Sequence, residues 1–102
     1  MIRHIVFFTA SEDKVEEVRR GLSLLTEIPH AQKFEVGASV KRDLFGNEVD
    51  LVVYGEFESL EALDAFKAHP HYQASIDMVR PIREMRMAAD FDTDEATTRS
   101  LI

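Results

Sequence analysis

Residues 2–9, IRHIVFFT, limit more than any other segment what this 102-residue chain can become. They are rich in β-branched and aromatic residues, as a strand is, and fall into two alternating sets, His4, Val6, Phe8 and Ile5, Phe7. Alternate side chains of a strand point to opposite faces of its sheet. Both faces here are apolar, and one layer of helices covers only one of them.

The rest of the chain supplies that layer. Residues 11–28, SEDKVEEVRRGLSLLTEI, set Val15, Val18, Leu22 and Leu25 at helical spacing, with Ser11 or Asp13 as N-cap candidates and acids in the first turn. Gly21 weakens this helix by about 1 kcal/mol relative to Ala, and Pro29 lies past its end. Residues 33–42, KFEVGASVKR, alternate Phe34, Val36, Ala38 and Val40 with polar or small residues, as a half-buried strand does. A turn over 43–50, where Gly46 and Asn47 tolerate positive φ, joins it to a third strand over 50–57, giving a hairpin. Ser59 is a natural N-cap for LEALDAFKAH, with Leu60, Leu63 and Phe66 inward. Pro70 breaks that helix and starts another turn, HYQASIDMVR carries Tyr72, Ile76 and Val79 on one side, and Pro81 stops it. Residues 82–91, IREMRMAADF, read as the last strand, and the polar residues from Asp92 onward show no period.

The order is β, α, β, β, α, β, an α+β ferredoxin-like arrangement with a four-stranded antiparallel sheet and both helices on one face. One domain spans residues 1–91, followed by a tail over 92–102. If the helices cover the Ile5 and Phe7 side, His4, Val6 and Phe8 point to the bare side. An open apolar face of this size is an interaction surface. Each fully buried aliphatic or aromatic side chain contributes about 1.5–3 kcal/mol, so four or five from each subunit outweigh a typical cost of association. Face-to-face pairing of two copies into a dimeric α/β barrel is the expected outcome.

Charge and composition narrow the partners. Twelve Lys and Arg against nineteen Asp and Glu give 12 − 19 = −7, which on average repels nucleic acid and anionic membranes. The chain contains no cysteine, so disulfides, thiolate metal sites and cysteine nucleophiles are out, and the cytoplasm is the expected location. The apolar run near the start is too short for a membrane span and lacks signal-peptide character. The glycines form no phosphate-binding loop, no serine sits in a nucleophile elbow, and no HExxH or acidic loop suggests a metal. No cofactor and no metal are expected.

HIVFF in the first strand, IPH after the first helix, Gly37, FESLEAL, the HP step at 69–70 and the closing ADF, taken in order and spacing, resemble the stress-responsive dimeric α/β-barrel (Dabb) family over residues 2–91. The resemblance implies a ferredoxin-like protomer that pairs into a barrel, with a small cavity in each half. One branch, similar to olivetolic acid cyclase, performs cofactor-free aldol chemistry with a tyrosine in the second helix and a histidine after the HP step. Those positions fall here on Phe66 and Tyr72, so neither catalytic group is retained and the reaction is not transferred.

His4 matches the family's strand-one histidine. The plainer reading makes it a packed side chain hydrogen-bonded to Asp90 or Tyr72; the sharper one makes His4 and Tyr72, oriented by Asp90, an acid/base set. His69 reads as a helix cap whose protonated ring suits the negative end of the dipole, and His71 as solvent-facing. The expected ligand-binding residues are His4, Val6, Val53, Phe66, His69, Tyr72 and Ala88, a mostly apolar set with a few polar handles. The sequence thus points to a homodimer that binds a small apolar or aromatic ligand. A cofactor-independent cyclase-like or monooxygenase-like enzyme is the alternative, and a purely structural dimer without a cavity is a third possibility.

Overall fold

The computed structural model describes residues 1–99. Strands β1 (Ile2–Phe8), β2 (Ala31–Ala38), β3 (Leu51–Phe57) and β4 (Arg86–Asp92) form one antiparallel sheet in the order β2-β3-β1-β4. Helices α1 (Val15–Leu22), α2 (Leu60–Ala68) and α3 (Pro70–Val79) complete a ferredoxin-like α+β fold. Short 3-10 turns at Glu12–Lys14 and Ser23–Glu27 flank α1. Among the described residues no helix is long and apolar enough to cross a membrane.

The helices cover the opposite side of β1 from the one expected. Ile2, His4, Val6 and Phe8 are all buried under them, whereas Phe7 is exposed and Ile5 half-buried on the bare face. The reason lies in the register. His4 stands opposite Gly55, Val6 opposite Val53 and Phe8 opposite Leu51, so this set shares a side with the apolar row of β3. The other set keeps company with charge, since Arg3 stands opposite Glu56, and Glu35 of β2 joins the same face beside Tyr54. Two apolar sets within one strand look equivalent until the neighbours' charges are placed.

The core between the layers includes Val18, Leu22 and Leu25 from the first helical region, Leu63 and Phe66 from α2, and Val79 from α3. Phe34, Phe57, Phe66 and Tyr72 form a chain of ring contacts with centroids 5.0–6.0 Å apart, in tilted and edge-on geometry. Gly55 makes this possible, because a Cβ there would stand 2.8 Å from Phe57 Cε2 and 2.9 Å from Phe34 Cδ2. Leu60, expected inward, is exposed.

Local chemistry explains most boundaries. Ser59 Oγ accepts from Ala62 N at 3.1 Å and starts α2. Neither Ser11 nor Asp13 caps α1 through its side chain; Lys14 N instead donates to Ser11 O at 2.8 Å, closing a 3-10 turn ahead of the helix. Pro29 and His30 form the turn into β2, with His30 at φ 89°. β2 ends at Ala38 rather than at 42, and Val40 is 81% exposed in the loop that follows. In that loop the left-handed residue is Lys41, at φ 55°, and neither Gly46 nor Asn47 has positive φ. Asp43 Oδ2 shapes the tip by accepting from Phe45 N and Gly46 N. Asp50 anchors the loop's other end, its carboxylate taking Ala10 N at 3.0 Å and Lys41 Nζ at 3.0 Å.

β4 starts four residues later than the alternation suggested. Ile82 N and Arg83 N both donate to Val79 O, so the end of α3 claims these residues for a turn. At the other end β4 includes Asp92, and Thr93 N donates to Met1 O at 2.9 Å, so the start of the expected tail is tied to the first residue. Residues 100–102 of that tail lie outside the described residues.

Candidate functional site

Between the sheet and the helices lies a cavity of about 310 Å³, within the range of small-ligand pockets. His4, Val6 and Phe8 of β1 and Val53 of β3 form its floor. Leu22 and Leu25, Phe66, and Tyr72, Ser75, Ile76 and Val79 supply the walls from the three helical regions. Arg80, Arg83 and Arg86 complete the lining.

Two local features of the helices shape its surroundings. Pro70 takes the first position of α3, where its missing N–H costs nothing, and it separates α2 from α3 so that both can lie over the sheet. His69 serves this junction. It is the C-cap of α2, its N–H donating to Phe66 O at 3.2 Å, and also the N-cap of α3, its Nδ1 accepting from His71 N at 3.1 Å. Its ring is occupied there and does not line the cavity. Gly21 allows α1 to approach α3 closely, and Ser75 Oγ donates to Gly21 O at 2.9 Å across that contact.

His4 is the polar centre of the floor. It is 3% exposed, and its Nδ1 lies 2.5 Å from Asp90 Oδ1, the residue directly opposite on β4. A carboxylate can only accept, so Nδ1 carries the proton in the neutral ring and Nε2 keeps its lone pair. Burial lowers the His4 pKa from its ordinary value; the hydrogen bond to Asp90 and its charge push back but do not overcome it, and Lys67 and Arg86 lower it further. The imidazole is therefore held neutral, as a hydrogen-bond acceptor or a base.

Of the seven ligand-binding positions read from the sequence, the structure brings His4, Val6, Val53, Phe66 and Tyr72 to one cavity. His69 is spent on capping, and Ala88 is exposed on the edge strand β4. Of the three acid/base candidates, His4 and Asp90 are hydrogen-bonded, while Tyr72 lines the cavity and packs edge-on to Phe66. His71 is partly exposed and 4.0 Å from Glu27. The arginines were not singled out by sequence reasoning. Their signal is a cation at every third position, 80, 83 and 86, in an otherwise acidic chain, and its meaning depends on a turn that periodicity did not disclose.

A ferredoxin-like protomer with one bare sheet face and a chamber beneath its helices defines the class of protein. Its family model places it further: the chain belongs to the Dabb family, the stress responsive A/B barrel domain, which matches residues 2–93. This is the family that HIVFF, Gly37, FESLEAL and the HP step resemble. Among solved structures, the chain is similar to a dimeric ferredoxin-like protein of unknown function from Thermobifida fusca YX, at 27% identity over 88% of each chain with a TM-score of 0.72. A Dabb family protein with a ferredoxin-like fold from Mesorhizobium loti matches at 24% identity over 89% of this chain and 94% of the other, with a TM-score of 0.71. A protein described as a putative antibiotic biosynthesis monooxygenase from Nitrosomonas europaea matches at 21% identity over 90% and 97%, with a TM-score of 0.74. These last two show the shared fold. No curated protein matches the chain significantly.

Proposed function

We propose that two copies of this protein pair through the bare sheet face and that each binds a small apolar or aromatic ligand in the chamber under its helices. The observation that carries the reading is the chamber itself, walled mainly by aliphatic and aromatic side chains, with His4, held in one tautomer by Asp90, as the polar group of its floor. Pairing is favoured by the apolar content of the bare face. Phe7, Met87 and Phe91 lie there, the last two 58% and 41% exposed, with Ile5, Val52 and Tyr54 half-buried beside them. The similar protein from Thermobifida fusca is described as dimeric, which supports the same state here. A cysteine-free chain favours a cytoplasmic location.

The test is an NMR titration with a neutral aromatic, 1-naphthol, combined with sedimentation. Shifts confined to His4, Tyr72, Ile76 and their neighbours are expected, from a protein that sediments as a dimer and turns monomeric in Met87→Asp. Saturating probe without response in the chamber overturns ligand binding; a single subunit at micromolar concentration overturns the pairing.

The His4–Asp90 pair favours a second reading, a cofactor-independent enzyme in which Nε2 acts as general base toward a bound acidic C–H or O–H. Activity found for the protein should then disappear in His4→Gln and fall in Asp90→Asn. Activity unchanged in both variants rules this reading out.

A further inference from the structure

Three arginines line the chamber from successive parts of the chain. Arg80 stands at the C-cap of α3, Arg83 is half-buried in the turn that follows, and Arg86 opens β4 opposite Phe8. A cation at a helix C-terminus is favoured by the dipole, which accounts for Arg80. It does not account for the other two. In a chain of net charge −7 each arginine could have taken a carboxylate, yet among the described residues the ion pairs of permanently cationic groups are Met1–Asp92 and Lys41–Asp50, and none involves an arginine. Arg83 Nη1 donates to the Glu84 carbonyl oxygen at 3.4 Å.

Further along the floor the chamber is lined by His4. His4 and Asp90 pair there, four residues along β1 from Phe8 and Arg86, a separation of about 13 Å at the strand rise. Asp90 itself is not among the lining residues, and the charges of Lys67 and Arg86 also act on His4. Otherwise the lining is mainly apolar, from Val6, Val53, Leu25 and Ile76.

We propose that the ligand of this chamber is an organic anion, its apolar body under the helices and its carboxylate or phosphate head at the mouth against Arg80, Arg83 and Arg86. This deepens the chamber-binding reading above and rests on it. The planar guanidinium fork matches either head through paired N–H···O bonds. With the head held by the arginines, His4 Nε2 is left to accept from a donor on the body. Partial exposure at the mouth makes the attraction sensitive to salt.

The experiment titrates the isotope-labelled protein with octanoate, octyl phosphate and octan-1-ol, three probes that share a tail and differ in the head. At least one of the anions should bind about tenfold or more tightly than the alcohol, as one charge-assisted contact implies. Octanoate against octyl phosphate tells which head the site takes. In the triple variant Arg80→Gln, Arg83→Gln, Arg86→Gln the anion preference should vanish with the alcohol's affinity unchanged, while the corresponding triple Lys variant should retain part of it. Arg86→Gln alone, at an exposed position, gives the same comparison if the triple variant does not fold. Equal binding of all three probes, or a preference that survives the Gln variants, overturns the anion inference and leaves the chamber reading standing. Failure of every probe to shift chamber resonances overturns both.

Discussion

Gly21→Ala pits two well-known effects against each other, and the structure decides between them. Alanine is favoured over glycine inside a helix by about 1 kcal/mol. At this position, however, a Cβ would stand 2.7 Å from Val79 Cγ2 and 3.3 Å from Met78 Cβ, where α1 crosses α3. The first distance is shorter than van der Waals contact, and overpacking of this kind costs about 1–3 kcal/mol. The net expectation is a destabilisation between zero and about 2 kcal/mol, the reverse of what helix propensity alone gives. In a Val79→Ala background the 2.7 Å neighbour is gone and only Met78 Cβ remains. There the same substitution should stabilise, by somewhat less than about 1 kcal/mol. Urea midpoints for the four proteins of this double-mutant cycle measure a coupling of about 1–3 kcal/mol. A cycle that closes to zero, with Gly21→Ala stabilising beside the native Val79, would refute the close approach and reduce Gly21 to a helix defect.

Ser75→Ala removes the buried donor to Gly21 O and should cost about 1 kcal/mol in the same urea assay. His30→Gly relieves a left-handed non-glycine residue, and the gain should outweigh the extra freedom of the unfolded chain, raising the midpoint by up to about 1 kcal/mol of stability. For His4 the sign follows from its lowered pKa: the unfolded chain takes up the proton at a higher pH than the folded one does. Its contribution to stability is full above the ordinary histidine value and is lost as pH falls through that value toward the folded one. Thermal melts between pH 7.5 and 5.5, chosen to bracket the usual histidine pKa of about 6.5, should show a shallower loss in His4→Gln than in the native protein. Equal slopes would mean that His4 charges freely inside the fold.

The candidate site was partly legible. Val6 could be placed beside His4 because strand alternation fixes which residues share a face, whereas Phe66 and Tyr72 of the helices meet His4 only because the helices cover that face of β1. Asp90 as its partner followed from two strands that pair in the fold, and the 2.5 Å contact is between residues 86 apart in sequence. Ala88 fails for a different reason: alternation puts it on the same side of β4 as Asp90, but β4 is an edge strand and its side chain is exposed. His69 was recognisable as a cap at the end of α2, but its second service, to α3, depended on where its Nδ1 lone pair found an N–H.

By itself the sequence determined the order of elements, the apolar stripe of α1, the cap at Ser59, the break at Pro70 and the family to which the chain belongs. These depend on interactions between residues a few positions apart, which spacing records directly. The tertiary structure alone decided which side of β1 meets the helices. Each of that strand's two sets is apolar, and only the register that sets Arg3 against Glu56 and Val6 against Val53 tells them apart. It also brought three arginines at every third position into the lining of one chamber, the end of α3 holding Ile82 and Arg83 back from β4. Long-range pairing sums many weak preferences that no local pattern carries, and here it assigned the charged residues their places.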